Sequence, residues 1–181
     1  RGMVVAILDT GLDYSHPAFS IIPEDGDDIW DKEYVESKFG ATMAKNSLAP
    51  DTTVEQVYYN AKVPYAFDYA DDDPDVYPSY STHGTHVAGI VAGKDDGKVV
   101  NAETDERFVG VAPEAQLAIM KVFTDDPDSE MLGGADTIDI LAAINDCVAL
   151  GVDVINMSLG SSAGFSDDES DAYLTGIYNK V

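Results

Sequence analysis

Cysteine is almost missing from this chain. Cys147 is the single one among 181 residues, so no internal disulfide can form. It lies in an apolar helical run and reads as a small buried hydrophobe. Basic residues are scarce as well: ten Lys and Arg stand against 34 Asp and Glu, a formal charge of −24. Phosphate contact needs a basic surface, so nucleic acid and anionic membranes are excluded as partners. No apolar run approaches the about 20 residues of a membrane span. No leader peptide is visible, and Arg1-Gly2 runs straight into a strand, which reads as a trimmed start. What is present is a 45% hydrophobic composition, enough for one domain with a real core. The acidity reads as a solvated surface with calcium sites as the alternative.

The apolar runs read in order as an α/β chain. Met3 to Leu8 is unbroken and predicts a strand buried on both faces, with Asp9 at its end. Ser15-His16-Pro17 opens a turn in which His16 is structural. Residues 20–62 give a weak signal: a helix within Ile29–Phe39 and a loop over Lys45–Thr53. Val63–Tyr69 predicts a second strand, followed by the acidic turn Asp71-Asp72-Asp73-Pro74-Asp75. That run lacks the spacing of an EF-hand loop and reads as a solvated turn. Residues 94–107 are expected to loop outward. Leu117–Phe123 predicts the next strand and Asp125–Gly134 a turn region. Ala135–Leu150 reads as a helix with Asp136, Asp139 and Asp146 on its polar face and Ile138, Leu141, Ile144 and Val148 on its apolar one. Gly151 is its C-cap. Val152–Met157 predicts a final strand, and 167–179 the start of another helix. The alternation implies a mostly parallel sheet with helices on both faces, a three-layer α/β fold.

The densest stretch is Ser81-Thr82-His83-Gly84-Thr85-His86-Val87-Ala88-Gly89-Ile90-Val91-Ala92-Gly93. It places His83 at the opening of a helix of small residues, with Ser81 or Thr82 as cap and Val87, Ile90 and Val91 on one apolar face. Asp9, just past a buried strand, stands where open α/β sheets put their sites. A carboxylate that fixes a histidine tautomer, and a histidine that takes a proton from a nucleophile, form two-thirds of a hydrolytic triad. A metal reading of His83 and His86 is weaker, because no ligand carboxylate stands at zincin spacing.

Val5 to Pro17 reads V-A-I-L-D-T-G-L-D-Y-S-H-P, and His83 to Gly89 reads H-G-T-H-V-A-G. Gly110-Val111-Ala112-Pro113-Glu114-Ala115 precedes a strand, and Val154 to Gly160 reads V-I-N-M-S-L-G. In this order the motifs resemble the subtilisin-like serine proteases, the subtilases, and cover most of 3–18, 63–93 and 108–160. The acidic insertions and the Pro64–Pro78 segment are similar to the cell-envelope subtilases of Gram-positive bacteria, the lactocepin and C5a-peptidase type. The resemblance implies that Asp9 orients His83 and stabilises its imidazolium. His83 is then general base toward a serine and general acid toward the leaving amine. Ser158, Leu159 and Gly160 pair with an extended substrate backbone.

One motif of the family is absent. No G-T-S-x-A occurs in the 181 residues, nor does the segment that supplies the oxyanion amide. The expectation is therefore an incomplete subtilisin-like fold, with 1–181 as the N-terminal portion of the peptidase domain. Its serine lies outside this chain, and the chain alone is inactive. A non-catalytic peptide-binding domain and an acyl-transferring peptide ligase are the alternatives. No cofactor is needed for the chemistry. Ala18 stands where many relatives carry a calcium-ligating aspartate, so a structural calcium is unsupported at the usual position and the metal assignment stays open. The resemblance implies a protein or peptide substrate and a secreted or cell-envelope location. An open sheet edge would pair with the rest of the protease or with another copy.

Overall fold

Four apolar runs become the four strands of one sheet in the computed structural model, which describes residues 2–20, 23, 29–94 and 108–160. The strands are β1 (Val4–Asp9), β2 (Tyr65–Asp68), β3 (Gln116–Lys121) and β4 (Val154–Asn156). Their order is β2-β3-β1-β4, and all pairings are parallel. In β1 to β3 every residue is buried, which is why these runs are continuously apolar rather than alternating. The final strand is shorter than its apolar run, and its first residue, Val154, is exposed.

Side chains alternate between two cores. Val4, Ala6, Leu8, Tyr65, Phe67 and Met120 face helices α1 (Lys32–Phe39) and α4 (Thr137–Leu150). Val5, Ile7, Ala66, Leu117 and Ile119 face helix α3 (His83–Ala92). Helices thus cover both faces, the three layers expected from the sequence.

Several local expectations are corrected. Ala44–Leu48 forms a single π-helical turn within the stretch expected as a loop over Lys45–Thr53, and Val54–Val57, where the sequence signal is weak, forms a short helix, α2. Gln56 Oε1 accepts the Thr53 N–H at 2.9 Å, reversing the chain into α2. The buried Gln116 fastens this insertion to the sheet: its amide accepts from Trp30 N–H and donates to the carbonyls of Trp30 and Ala61. Asp146 is not on a polar face of α4 but wholly buried, whereas Ile138 and Val148 are exposed. Its carboxylate accepts the N–H groups of Met43 and Ala44 and the Tyr69 hydroxyl, so the π-helical turn consumes it. Gly151 ends α4 with φ +86°, and Cys147 is buried. The region 95–107 and the helix expected at 167–179 lie outside the described residues.

Candidate active site

β1 delivers Asp9 to the C-terminal end of the sheet, between two neighbouring strands, where the ends of parallel strands open a crevice. Its side chain is 1% exposed. Oδ1 accepts the Thr10 N–H at 2.7 Å and lies 2.8 Å from Nδ1 of His83. Among the described residues Oδ2 is buried with no partner. A carboxylate only accepts, so Nδ1 carries the proton in this pair and the lone pair of Nε2 is left for another group. The imidazole is 54% exposed, so that nitrogen is reachable.

The start of α3 is fixed by one neighbouring residue and one distant in sequence. Thr82 makes no side-chain cap. Instead Ser81 Oγ accepts the His83 N–H at 3.3 Å, and Thr10 Oγ1 accepts the Gly84 N–H at 2.9 Å. Thr10 also donates its hydroxyl proton to Ser81 O at 2.8 Å. The residue after Asp9 therefore caps the helix that carries His83, and the two are positioned together. A second tie runs from the Asp13 N–H to Thr85 Oγ1 at 2.8 Å. Close approach makes glycine obligatory at Gly84, where a Cβ would sit 2.4 Å from Gly11 O. Gly11 itself has φ +101°, and a Cβ there would meet Val76 O at 2.2 Å.

Gly84, Ala88, Gly89 and Ala92 of α3 are buried, and Val87 and Val91 pack partly buried against the same core as Ala88 and Ala92. Ile90 is 60% exposed, so it alone leaves the apolar face expected from Val87, Ile90 and Val91. His16 caps a single 3₁₀ turn, its Nδ1 accepting the Ala18 N–H, and takes no part in the site. His86 is exposed, and among the described residues no side-chain hydrogen bond ties it to the pair.

A cleft of about 290 Å³ opens beside His83, with Tyr80, Phe123, Thr124, Asp125 and Gly133 on its walls. The Thr124 N–H donates to Gly134 O and the Gly133 N–H to Thr124 O, closing the loop between them. Tyr80 packs over Gly133. Next to it lies a second hollow of about 350 Å³ whose lining includes Asp71, Asp72, Asp126, Asp136 and Asp139. Burial, reinforced by the neighbouring Asp136, Asp72 and Asp71 carboxylates, raises the Asp139 pKa to about 6.

Ser158, Leu159 and Gly160 follow β4 at this same end of the sheet, beyond the Ile7–Asn156 pair. Ser158 is exposed and donates to Asn156 Oδ1 at 3.0 Å. Gly160 has open space around it. Ala18 is buried and its carbonyl accepts the Lys94 N–H; its side chain carries no oxygen. The acidic turn is not simply solvated: Asp71 turns inward to Lys121 and Thr124. Lys121, Thr10 and Asp125 escaped the sequence reading. A signal existed for Lys121, the one charge inside the apolar run Leu117–Phe123.

Comparison with known proteins agrees with this geometry. The model of the subtilase family matches residues 1–180. The PII-type proteinase of Lacticaseibacillus paracasei is 38% identical over 166 residues, 91% of this chain and 8% of that proteinase. The C5a peptidase of Streptococcus pyogenes is 35% identical over 169 residues, 90% of this chain and 12% of that peptidase. Among solved structures, the S41 psychrophilic protease aligns with a TM-score of 0.55 and 26% identity, over 99% of this chain and 43% of its own. The chain thus spans only a small part of each of the curated relatives it matches. With the family model covering all but one of its residues, this chain belongs to the subtilase family.

Proposed function

We propose that this chain supplies the acid–base half of a serine endopeptidase. The observation that carries the reading is the 2.8 Å contact between buried Asp9 and half-exposed His83 at the mouth of a cleft. In this reading a serine hydroxyl from outside residues 1–181 approaches Nε2 of His83. The imidazole takes its proton as the oxygen attacks the scissile carbonyl, then returns it to the departing amine. Asp9 keeps the Nδ1 tautomer and stabilises the imidazolium that forms between the two steps. Ser158, Leu159 and Gly160, past the end of β4, add the substrate backbone to the sheet as an extended strand. No metal or cofactor enters the chemistry. A secreted or cell-envelope location goes with this reading and rests on the resemblance to cell-envelope subtilases. No described helix is long and apolar enough to cross a membrane.

The test is fluorophosphonate labelling read by intact mass, on the 181-residue chain, on a form extended past Val181, and on the extended form with His83→Ala. Labelling is expected only in the extended form with His83 intact. A folded extended protein that takes no label would replace the enzyme with a peptide-binding domain. Labelling of the 181-residue chain would place the nucleophile among its own serines.

A further inference from the structure

β2 and β3 each carry one charge in an otherwise uncharged run, and the register sets them side by side, Asp68 against Lys121. Both are about 1% exposed. Lys121 Nζ donates to Asp68 Oδ2, to Asp125 Oδ1 at 2.9 Å and to Asp71 Oδ2 at 3.1 Å. An ammonium has three protons, and here each has a carboxylate. The three carboxylates bring oxygens within 4.8 Å of one another, an arrangement able to hold a metal ion, and the ammonium hydrogen-bonds one oxygen of each. Burial opposes the lysine charge, but the hydrogen bonds it donates to Asp68 and Asp125 outweigh it and the pKa moves upward.

Each carboxylate also grips a different segment. Asp68 Oδ1 accepts the N–H groups of Ala70 and Asp71. Asp71 Oδ1 accepts the Thr124 hydroxyl. Asp125 Oδ2 accepts the Ser79 N–H at 2.7 Å, two residues before the serine that caps His83. Thr124 and Asp125 are walls of the cleft. The junction therefore joins the end of β2, the approach to α3 and the loop that faces His83.

We propose that Lys121 is the resident cation of this acidic junction and a positioning residue for the site, its ammonium holding Thr124, Asp125 and the Ser79–Ser81 approach against His83 where a divalent ion would otherwise be needed. The positioning half rests on the serine-protease reading; the cation half does not. With Lys121→Met three carboxylates face one another with no counter-charge, and the site becomes open to a metal.

Terbium luminescence tests the cation half on the 181-residue chain. The wild type and Asp71→Asn are expected to titrate alike. Lys121→Met, checked for folding by circular dichroism, gains one saturable site, and adding Asp71→Asn removes it. A wild-type signal that falls with Asp71→Asn, or a folded Lys121→Met that gains no site, overturns the assignment. If Lys121→Met does not fold, the comparison of wild type with Asp71→Asn still decides it. In a form that labels with fluorophosphonate, Lys121→Met is expected to raise KM for an extended peptide about tenfold, and calcium to restore it. A folded variant with unchanged KM refutes the positioning role. Failure of every form to label refutes the protease reading instead and leaves the terbium result standing.

Discussion

A single methyl group tests the Asp9–His83 pair. At Gly84 a Cβ would stand 2.4 Å from Gly11 O and 3.1 Å from Asp9 Cβ. The nearer obstacle is backbone, and Gly11 is itself locked by its positive φ and by Val76 O. The start of α3 must then move, and His83 with it. A displacement of about 1 Å in a reacting group costs on the order of 100-fold in rate. In the extended form, Gly84→Ala is therefore expected to fold, to slow fluorophosphonate labelling by about that factor, and to lose the downfield Nδ1–H proton from the NMR spectrum. A variant that keeps both the rate and the resonance would show that the helix start absorbs the methyl without moving the imidazole. The wild-type space is tight because Thr10 accepts from Gly84 while donating to Ser81, which draws the helix end onto β1.

At the scale of elements, helix α4 presents its first turn to the acidic hollow. Asp136 caps it by accepting the Ile138 N–H, and Asp139 shares the hollow with Asp71 and Asp72. With a pKa of about 6 in the fold against 3.8 as the ordinary value, Asp139 binds its proton more tightly folded than unfolded. Stability then falls as pH rises between those values, and above about 6 the cost is complete. Asp139→Asn is expected to raise the unfolding free energy by about 1 kcal/mol at neutral pH, solvent screening discounted, and by nothing below pH about 3.5. Equal gains at both pH values, by urea titration, would assign the effect to helix propensity instead. How far the sequence discloses such elements depends on the reach of the interactions. β1, β3 and the body of α4 are long apolar or periodic runs and were legible, as was the partnership of Asp9 with His83 through their motifs. α2 was not, being only one turn held by a local box. The charge of Asp146 fits the polar side of the helical period and points to solvent, whereas its partners Met43, Ala44 and Tyr69 lie far along the chain. The Ser81 cap of α3 is local and legible, but the Thr10 cap and the Asp68–Lys121 contact are not: they unite residues 74 and 53 positions apart, a separation at which no local pattern forms.

Over the whole molecule the charges do not cancel. With a formal charge of −24, the surface repels itself and attracts cations from a distance. The carboxylates are also gathered near the site: five Asp side chains line the hollow beside the cleft. The Lys121 ammonium, which reaches Asp71 of this hollow, is buried and already shared among three carboxylates. A cationic peptide diffusing toward His83 would thus meet an attractive field, and such steering raises association rates by about 10- to 1,000-fold at low salt. The field reaches about 30 Å at 0.01 M ionic strength and about 10 Å at 0.1 M, so the advantage must shrink as salt is added. For a form of the enzyme that cleaves peptides, the ratio of kcat/KM for a Lys- and Arg-containing peptide to that for its neutral counterpart is expected to fall about tenfold across that range. The change should lie in kcat/KM alone, because steering alters encounter and not the step proposed for His83. Asp72→Asn with Asp136→Asn should flatten the salt dependence while leaving the neutral peptide unaffected. If both peptides respond to salt in the same way, the acidity serves solubility, and selection of substrate rests on contacts inside the cleft.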